Sequence, residues 1–183
     1  MKNIKQTSII VAVFIIFVFL AGVYFYLPEE GNENKEGSES NQPAEPILRN
    51  APAGWLIYKN ASYGFSLFYP EGLDVKEFDE GGGAGTITFE DAENALGFQI
   101  FIVPYAEAQV TEERFLKDNP SGVKENFEDI TVDGAVGATF VSRQPFLGET
   151  REVWFIHDGY LFEVTILKPT ESFLADVLSS WKF

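Results

Sequence analysis

The sequence predicts an α+β fold: a central antiparallel sheet covered by helices on both faces, preceded by one transmembrane helix. Three observations predict it. Asp133-Gly134 and Asp158-Gly159 each sit between apolar runs and read as tight hairpin turns, because an Asp-Gly pair adopts the backbone twist that flanking strands require. Pairing across the second turn sets Phe155 against Phe162 and Val153 against Val164 on one face, while Trp154, Ile156 and Leu161 stand on the other beside Glu152 and Glu163. A sheet with one wet face alternates cleanly between apolar and polar, so a hairpin apolar on both faces asks for cover on both. The third observation is an unbroken apolar run, Ile9 to Leu27, close behind the N-terminus.

That run has about 19 residues without charge, and at 1.5 Å rise per residue a helix of roughly 28 Å nearly matches the hydrocarbon thickness of a bilayer. It is apolar on every side, which a core helix is not. A cleaved signal peptide has a shorter apolar core and a small-x-small cleavage site, and the best site here puts the large Phe19 where a small residue is needed. A lipoprotein signal needs Cys after Leu20-Ala21-Gly22, where Val23 stands, and a pilin-type helix needs an early glutamate. The run therefore reads as an uncleaved anchor over residues 9–27. Lys2 and Lys5 precede it, while Glu29, Glu30, Glu33 and Glu36 follow with only Lys35 in opposition. Positive flanks stay in the cytoplasm, so residues 1–8 are expected there and the bulk of the chain outside, with Tyr24 and Tyr26 at the outer interface.

Residues 28–53 are rich in Glu, Asn, Ser, Gly and Pro and read as a disordered acidic linker, because so few apolar side chains cannot offset the entropy of ordering. A flexible chain of that length spans roughly 25–30 Å. Residues 54–183 make one domain. Trp55-Leu56-Ile57-Tyr58 opens it, and Tyr63 to Pro70 is a strand with Phe65, Leu67 and Tyr69 on one face. Glu71-Gly72-Leu73 leaves that sheet. Gly81-Gly82-Gly83-Ala84-Gly85 lacks the following Lys-Ser/Thr and helix of a phosphate cradle, so it reads as a hairpin loop leading into the strand Thr86 to Phe89. Phe98 to Val103 is the next strand. Thr111 caps a helix whose first turn carries Glu112 and Glu113, with Val110 stapled to Phe115, and Asn119-Pro120 stops it. The two hairpins follow. After Pro169 and a capping Thr170, the set Phe173, Leu174, Val177, Leu178 and Trp181 forms one helical stripe, and Trp181-Lys182-Phe183 finishes as a short strand.

Composition narrows the function classes. Of 183 residues 28 are acidic and 13 basic, for a formal charge of -15, which disfavours nucleic acid and anionic lipid as partners. With no Cys there is no disulfide, thiol catalysis or thiolate metal site. His157, the single histidine, adjoins a turn, and its neighbour Asp158 points to the opposite face, which argues against a dyad. Asp79, Glu80, Glu90, Asp91 and Glu93 flank one hairpin but lack calcium-loop spacing. Trp55, Tyr58 and Tyr63 fit an exposed aromatic patch and core packing equally well.

The elements Trp55 to Tyr58, Asn60-x-x-Tyr63-Gly64-Phe65-Ser66-Leu67-x-Tyr69-Pro70-Glu71-Gly72, Ile130-Thr131-Val132-Asp133-Gly134, Asp158-Gly159-Tyr160-Leu161-Phe162 and Phe173-Leu174 to Trp181-Lys182-Phe183 resemble the PsbP-like family over about residues 55–183. That family is typified by an extrinsic subunit of photosystem II. The resemblance implies a central antiparallel sheet between helices and, for bacterial members, a membrane-tethered extracytoplasmic domain. The photosystem role does not carry over, because the chain has an anchor in place of a plant-type transit peptide and lacks the histidine-bearing metal positions discussed for that subunit. No functional residue transfers. The sequence therefore gives an expectation of a non-enzymatic chain, with no catalytic, cofactor-binding or metal-ligating residue and no cofactor. Its partners are expected to be the membrane, through the N-terminal helix, and a protein of the cell envelope. The competing expectation is a ligand or metal-ion sensing domain or an envelope hydrolase, which requires a cleft with paired carboxylates.

Overall fold

The computed structural model describes residues 49–144 and 147–183. The expected anchor over 9–27 and the linker as far as residue 48 lie outside the described residues, among which no helix is long and apolar enough to cross a membrane.

The described residues form nine strands in two antiparallel sheets. The smaller sheet pairs β1 (Trp55–Asn60) with β2 (Phe65–Pro70). The larger has seven strands in the order β3-β4-β5-β9-β8-β7-β6, running over β3 (Asp74–Gly81), β4 (Ala84–Asp91), β5 (Leu96–Pro104), β6 (Glu125–Val132), β7 (Ala135–Gln144), β8 (Gly148–His157) and β9 (Tyr160–Leu167). Both Asp-Gly turns form as expected: Asp133 and Asp158 take φ of 44° and 45°, and the glycines after them 90° and 78°, the left-handed pair that a two-residue hairpin needs. The register across the second turn puts Phe155 opposite Phe162 and Val153 opposite Val164. Gly82-Gly83 turns the β3–β4 hairpin. The strand β3 has no counterpart in the sequence reading. It is an edge strand whose Asp74, Lys76, Glu77 and Asp79 blunt the open edge and erase the apolar alternation that marks a buried strand.

The sheet is antiparallel throughout, and among the described residues two short α-helices accompany it, Glu112–Asp118 and Leu174–Ser179. Thr111 caps the first by accepting from the Arg114 N–H at 3.1 Å. The C-terminal element differs from expectation. Residues Lys168–Phe173 wind as a 3-10 helix, and the Thr170 hydroxyl donates to the Leu167 carbonyl at 3.0 Å instead of capping a helix start. The α-helix begins only at Leu174.

Two cores result. On one face of the large sheet Phe89, Phe98, Phe155, Phe162 and Val164 meet Phe65 and Leu67 of the small sheet and Leu174, Val177 and Trp181. The small sheet and the C-terminal helix share the cover of that face, where helices alone were expected. On the other face Phe115 of the first helix closes over Phe140, Trp154 and Leu161. Lys182 pairs with Ser66 through bonds of 2.7 and 2.8 Å, which realises the short terminal strand as a single bridge. The folded part also begins earlier than residue 54: the Arg49 guanidinium lies 4.4 Å over the Phe68 ring and donates to the Ser180 carbonyl, so part of the expected linker is held against the domain.

Candidate functional site

The face carrying the first helix leaves a groove of about 310 Å³ between that helix and the β6–β7–β8 end of the sheet. Phe115, Phe140 and Trp154 form its inner wall, with ring centroids 5.4 to 5.7 Å apart. Phe127 and Val136 form the outer rim and are 47% and 74% exposed, unusual for such apolar side chains and adjacent in space to a cavity. A β-bulge produces the rim. Asn126 takes φ 51° where the β6–β7 register shifts between Glu125 and Glu128, which re-aims Phe127.

Lys124 stands at the mouth, its Nζ 4.4 Å from the Phe127 centroid, 4.9 Å from Phe115 and 5.8 Å from Phe140, within cation–π range of all three. The loop before it is pinned: Asn119 Oδ1 accepts from Ser121 Oγ at 2.7 Å and from Ser142 Oγ of β7 at 2.8 Å, and Asn119 Nδ2 donates to the Val123 carbonyl at 2.9 Å. On the far side, the Tyr105 hydroxyl donates to the Gln109 carbonyl at 3.0 Å and accepts from the Thr111 N–H at 2.9 Å, which places Val110 against Phe115.

Beneath the helix, away from the groove lining, lies a buried group of carboxyls. Glu152 accepts from Thr150 Oγ1 at 2.6 Å, Thr165 Oγ1 at 2.7 Å and Trp154 Nε1 at 3.4 Å, and burial raises its pKa against those bonds. Glu163 faces Arg114 and Asp118 from the helix, and burial followed by the Asp118 charge pushes its pKa well up. Asp118 in turn is ion-paired to Arg114.

A second, polar hollow of about 420 Å³ lies between the β1–β2 loop and the β3–β4 hairpin. Its acids are occupied within the fold: Glu77 accepts from the Tyr58 hydroxyl at 2.7 Å and Asp79 from the Gly81 N–H at 2.8 Å.

The residues singled out in the sequence are dispersed. His157 stacks on Phe183, rings 3.6 Å apart and 11° from parallel, while Asp158 sits in the turn at positive φ. The acidic residues do not flank one hairpin as expected: Asp79 and Glu80 adjoin the β3–β4 turn, Asp91 and Glu93 the β4–β5 turn, at opposite ends of β4 and roughly 20 Å apart at 3.3 Å per residue. Asp91 closes its own turn, accepting from Asn94 Nδ2 and from the N–H groups of Asn94 and Glu93, and these bonds lower its pKa. Among the described residues no cluster of three His, Asp or Glu is placed to hold a metal ion.

The aromatic trio serves the core. Tyr58 is buried, takes a bond from Asn60 Nδ2 at 2.9 Å, and has its pKa raised, chiefly by burial. Tyr63 sits edge-on to Tyr160 and donates to the Gly83 carbonyl at 3.2 Å. A Cβ at Gly85 would come within 2.5 Å of the Tyr63 hydroxyl, so the glycine run makes room for this side chain. The groove residues Lys124, Phe127 and Val136 gave no sequence signal, because nothing along the chain marks which apolar side chains a bulge turns outward.

No family profile matches this chain, and no curated protein matches it. Among solved structures it is similar to the solution structure of cyanobacterial PsbP (CyanoP) from Synechocystis sp. PCC 6803, at 19% sequence identity and a TM-score of 0.49, over 77% of this chain and 97% of that chain. The chain resembles a PsbP-like structure over this segment.

Proposed function

We propose that this chain is a membrane-tethered, extracytoplasmic, non-catalytic interaction module of the cell envelope, and that it receives an apolar side chain of a partner protein in the groove beside the Glu112–Asp118 helix. The observation that carries this reading is the groove rim. Phe127 and Val136 stand exposed beside an aromatic cavity, where covering them with a partner gains roughly 25 cal/mol per Å² of apolar area removed from water. The charge asymmetry about the apolar run over 9–27 supports the tether and its orientation. The enzyme reading lacks such support, since Glu152 and Glu163 point beneath the helix and line neither described hollow. The test is site-specific photo-crosslinking of the full-length protein in its native membrane, with the photoreactive residue at Val136, at Phe127 or, as control, at Lys76 on the far edge of the sheet. One envelope protein captured from both rim positions and not from Lys76 is expected. Equal capture from all three, or none under conditions that trap known envelope complexes, removes the reading.

A further inference from the structure

The Glu112–Asp118 helix has seven residues, too few to be stable alone, so its contacts with the sheet decide whether it stays in place. One contact is apolar, Phe115 against Phe140 and Trp154. The other is charged. Arg114 and Asp118 project from the helix, and Glu163 meets them from β9, with side chains only 13%, 5% and 7% exposed. Arg114 is ion-paired to Asp118, while its Nη2 lies 3.8 Å from Glu163 Oε1, beyond hydrogen-bond reach. The buried Glu163 Oε1 has no hydrogen-bond donor among the described residues, and two neighbouring carboxyls can share a hydrogen bond only when one of them carries a proton.

The charges around Glu163 are Arg114 and Asp118 from the helix and Glu152 from β8; its register partners are Phe101 on β5 and Trp154 on β8, neither ionisable. Glu152 is bonded within the sheet and to no group of the helix. One guanidinium therefore faces two carboxyls across the helix–sheet contact. A second uncompensated anion there is strongly disfavoured, so the proton stays while the helix is docked.

We propose that Glu163 is a proton-operated latch: as a carboxylic acid it donates to Asp118 and holds the helix on the sheet, and loss of that proton frees the helix and with it one wall of the groove. The latch stands whether or not the groove receives a partner. Its direction follows from linkage. An exposed glutamate, as in the undocked state, titrates near about 4.3, whereas the docked site holds the proton to higher pH. Docking is at full strength below the undocked value and weakens about tenfold per pH unit as pH rises towards the docked value, because one proton is released on opening.

The test is hydrogen exchange on the full chain in detergent micelles from about pH 5 to 8, corrected for intrinsic rates. The amides of Phe115 and Asn119, bonded to the Thr111 and Phe115 carbonyls, report the helix, and that of Phe155 in β8 reports the sheet. Taking the helix relative to the sheet removes the contribution of Glu152. Helix protection is expected to fall about tenfold per pH unit over part of this range in the native chain and to be flat in Glu163→Gln, whose amide still donates to Asp118. Asp118→Asn removes the opposing anion and is expected to shrink the total fall. A pH-independent helix in the native chain, or an equal slope in Glu163→Gln, overturns the latch. Should Glu163→Gln fail to protect the sheet, an unchanged fall in Asp118→Asn overturns it.

Discussion

Truncating Trp181 to alanine tests whether the C-terminal segment seals the main core. Trp181 is fully buried, stacks on Phe65 at 4.5 Å and 13°, and meets Phe155 and Phe162 edge-on at 5.1 and 5.9 Å. It thus joins the small sheet to the large one. A side chain of this size buries about 200 Å² or more, or about 5 kcal/mol at 25 cal/mol per Å², an upper value because the unfolded chain also hides some apolar surface. Large-to-small changes at such sites cost about 3–5 kcal/mol, so about 4 kcal/mol is expected for Trp181→Ala, a large part of the stability of a domain this size. Trp181→Phe keeps a ring against Phe65 and removes a buried indole N–H without a partner among the described residues, so about 1 kcal/mol is expected. The assay is urea unfolding of the full chain in mild detergent, followed by near-ultraviolet circular dichroism, with the midpoint shift read at constant slope. A cost below about 1 kcal/mol for Trp181→Ala, or equal costs for the two variants, refutes the assignment of Trp181 as the bridge between the sheets.

Gly137→Ala places a Cβ 2.3 Å from the Trp154 carbonyl oxygen and 2.9 Å from the Phe155 Cα, so β7 and β8 must part; a loss of about 2–3 kcal/mol is expected in the same unfolding assay. Asp133 is held below the usual carboxylate range first by its bond from Lys182 Nζ and then by the Phe183 N–H at 2.9 Å. Its contribution is therefore present above the unfolded value of about 3.9 and lost as pH falls through the lower folded value. Asp133→Asn is expected to lower the urea midpoint at pH 6, by an amount worth less than about 1 kcal/mol for a surface pair, and the difference from the native chain is expected to close on acidification. Thr111→Ala removes the helix cap, and an increase in exchange at Phe115 equivalent to about 1 kcal/mol, with β8 unchanged, is expected.

The sequence by itself determined the features whose cause is local. Asp133-Gly134 and Asp158-Gly159 specify their turns because few other pairs adopt that backbone, and the second turn then sets the register of Phe155 on Phe162 without further help. The Thr111 cap and the Val110–Phe115 staple are equally local. The resemblance carried by Tyr63 to Pro70 and the terminal helix likewise rests on turn and core residues close in sequence.

Only the tertiary structure decided the rest. The edge strand β3 has charged residues where a buried strand would be apolar, so its partner β4 is what makes it a strand. The small sheet stands apart from the large one, although alternation in Phe65, Leu67 and Tyr69 says only that one face is covered and not by what. Glu152 and Glu163 were visible among apolar neighbours. The meeting of Glu163 with Arg114 and Asp118, some 45 residues or more away along the chain, depends on how the helix docks. The groove is the furthest from the sequence: a bulge at Asn126 and the path of a pinned loop place Lys124, Phe127 and Val136 around one cavity. Turns and caps are energies of neighbouring residues, whereas a cavity is the space left when distant elements have packed, and no short stretch of chain encodes it.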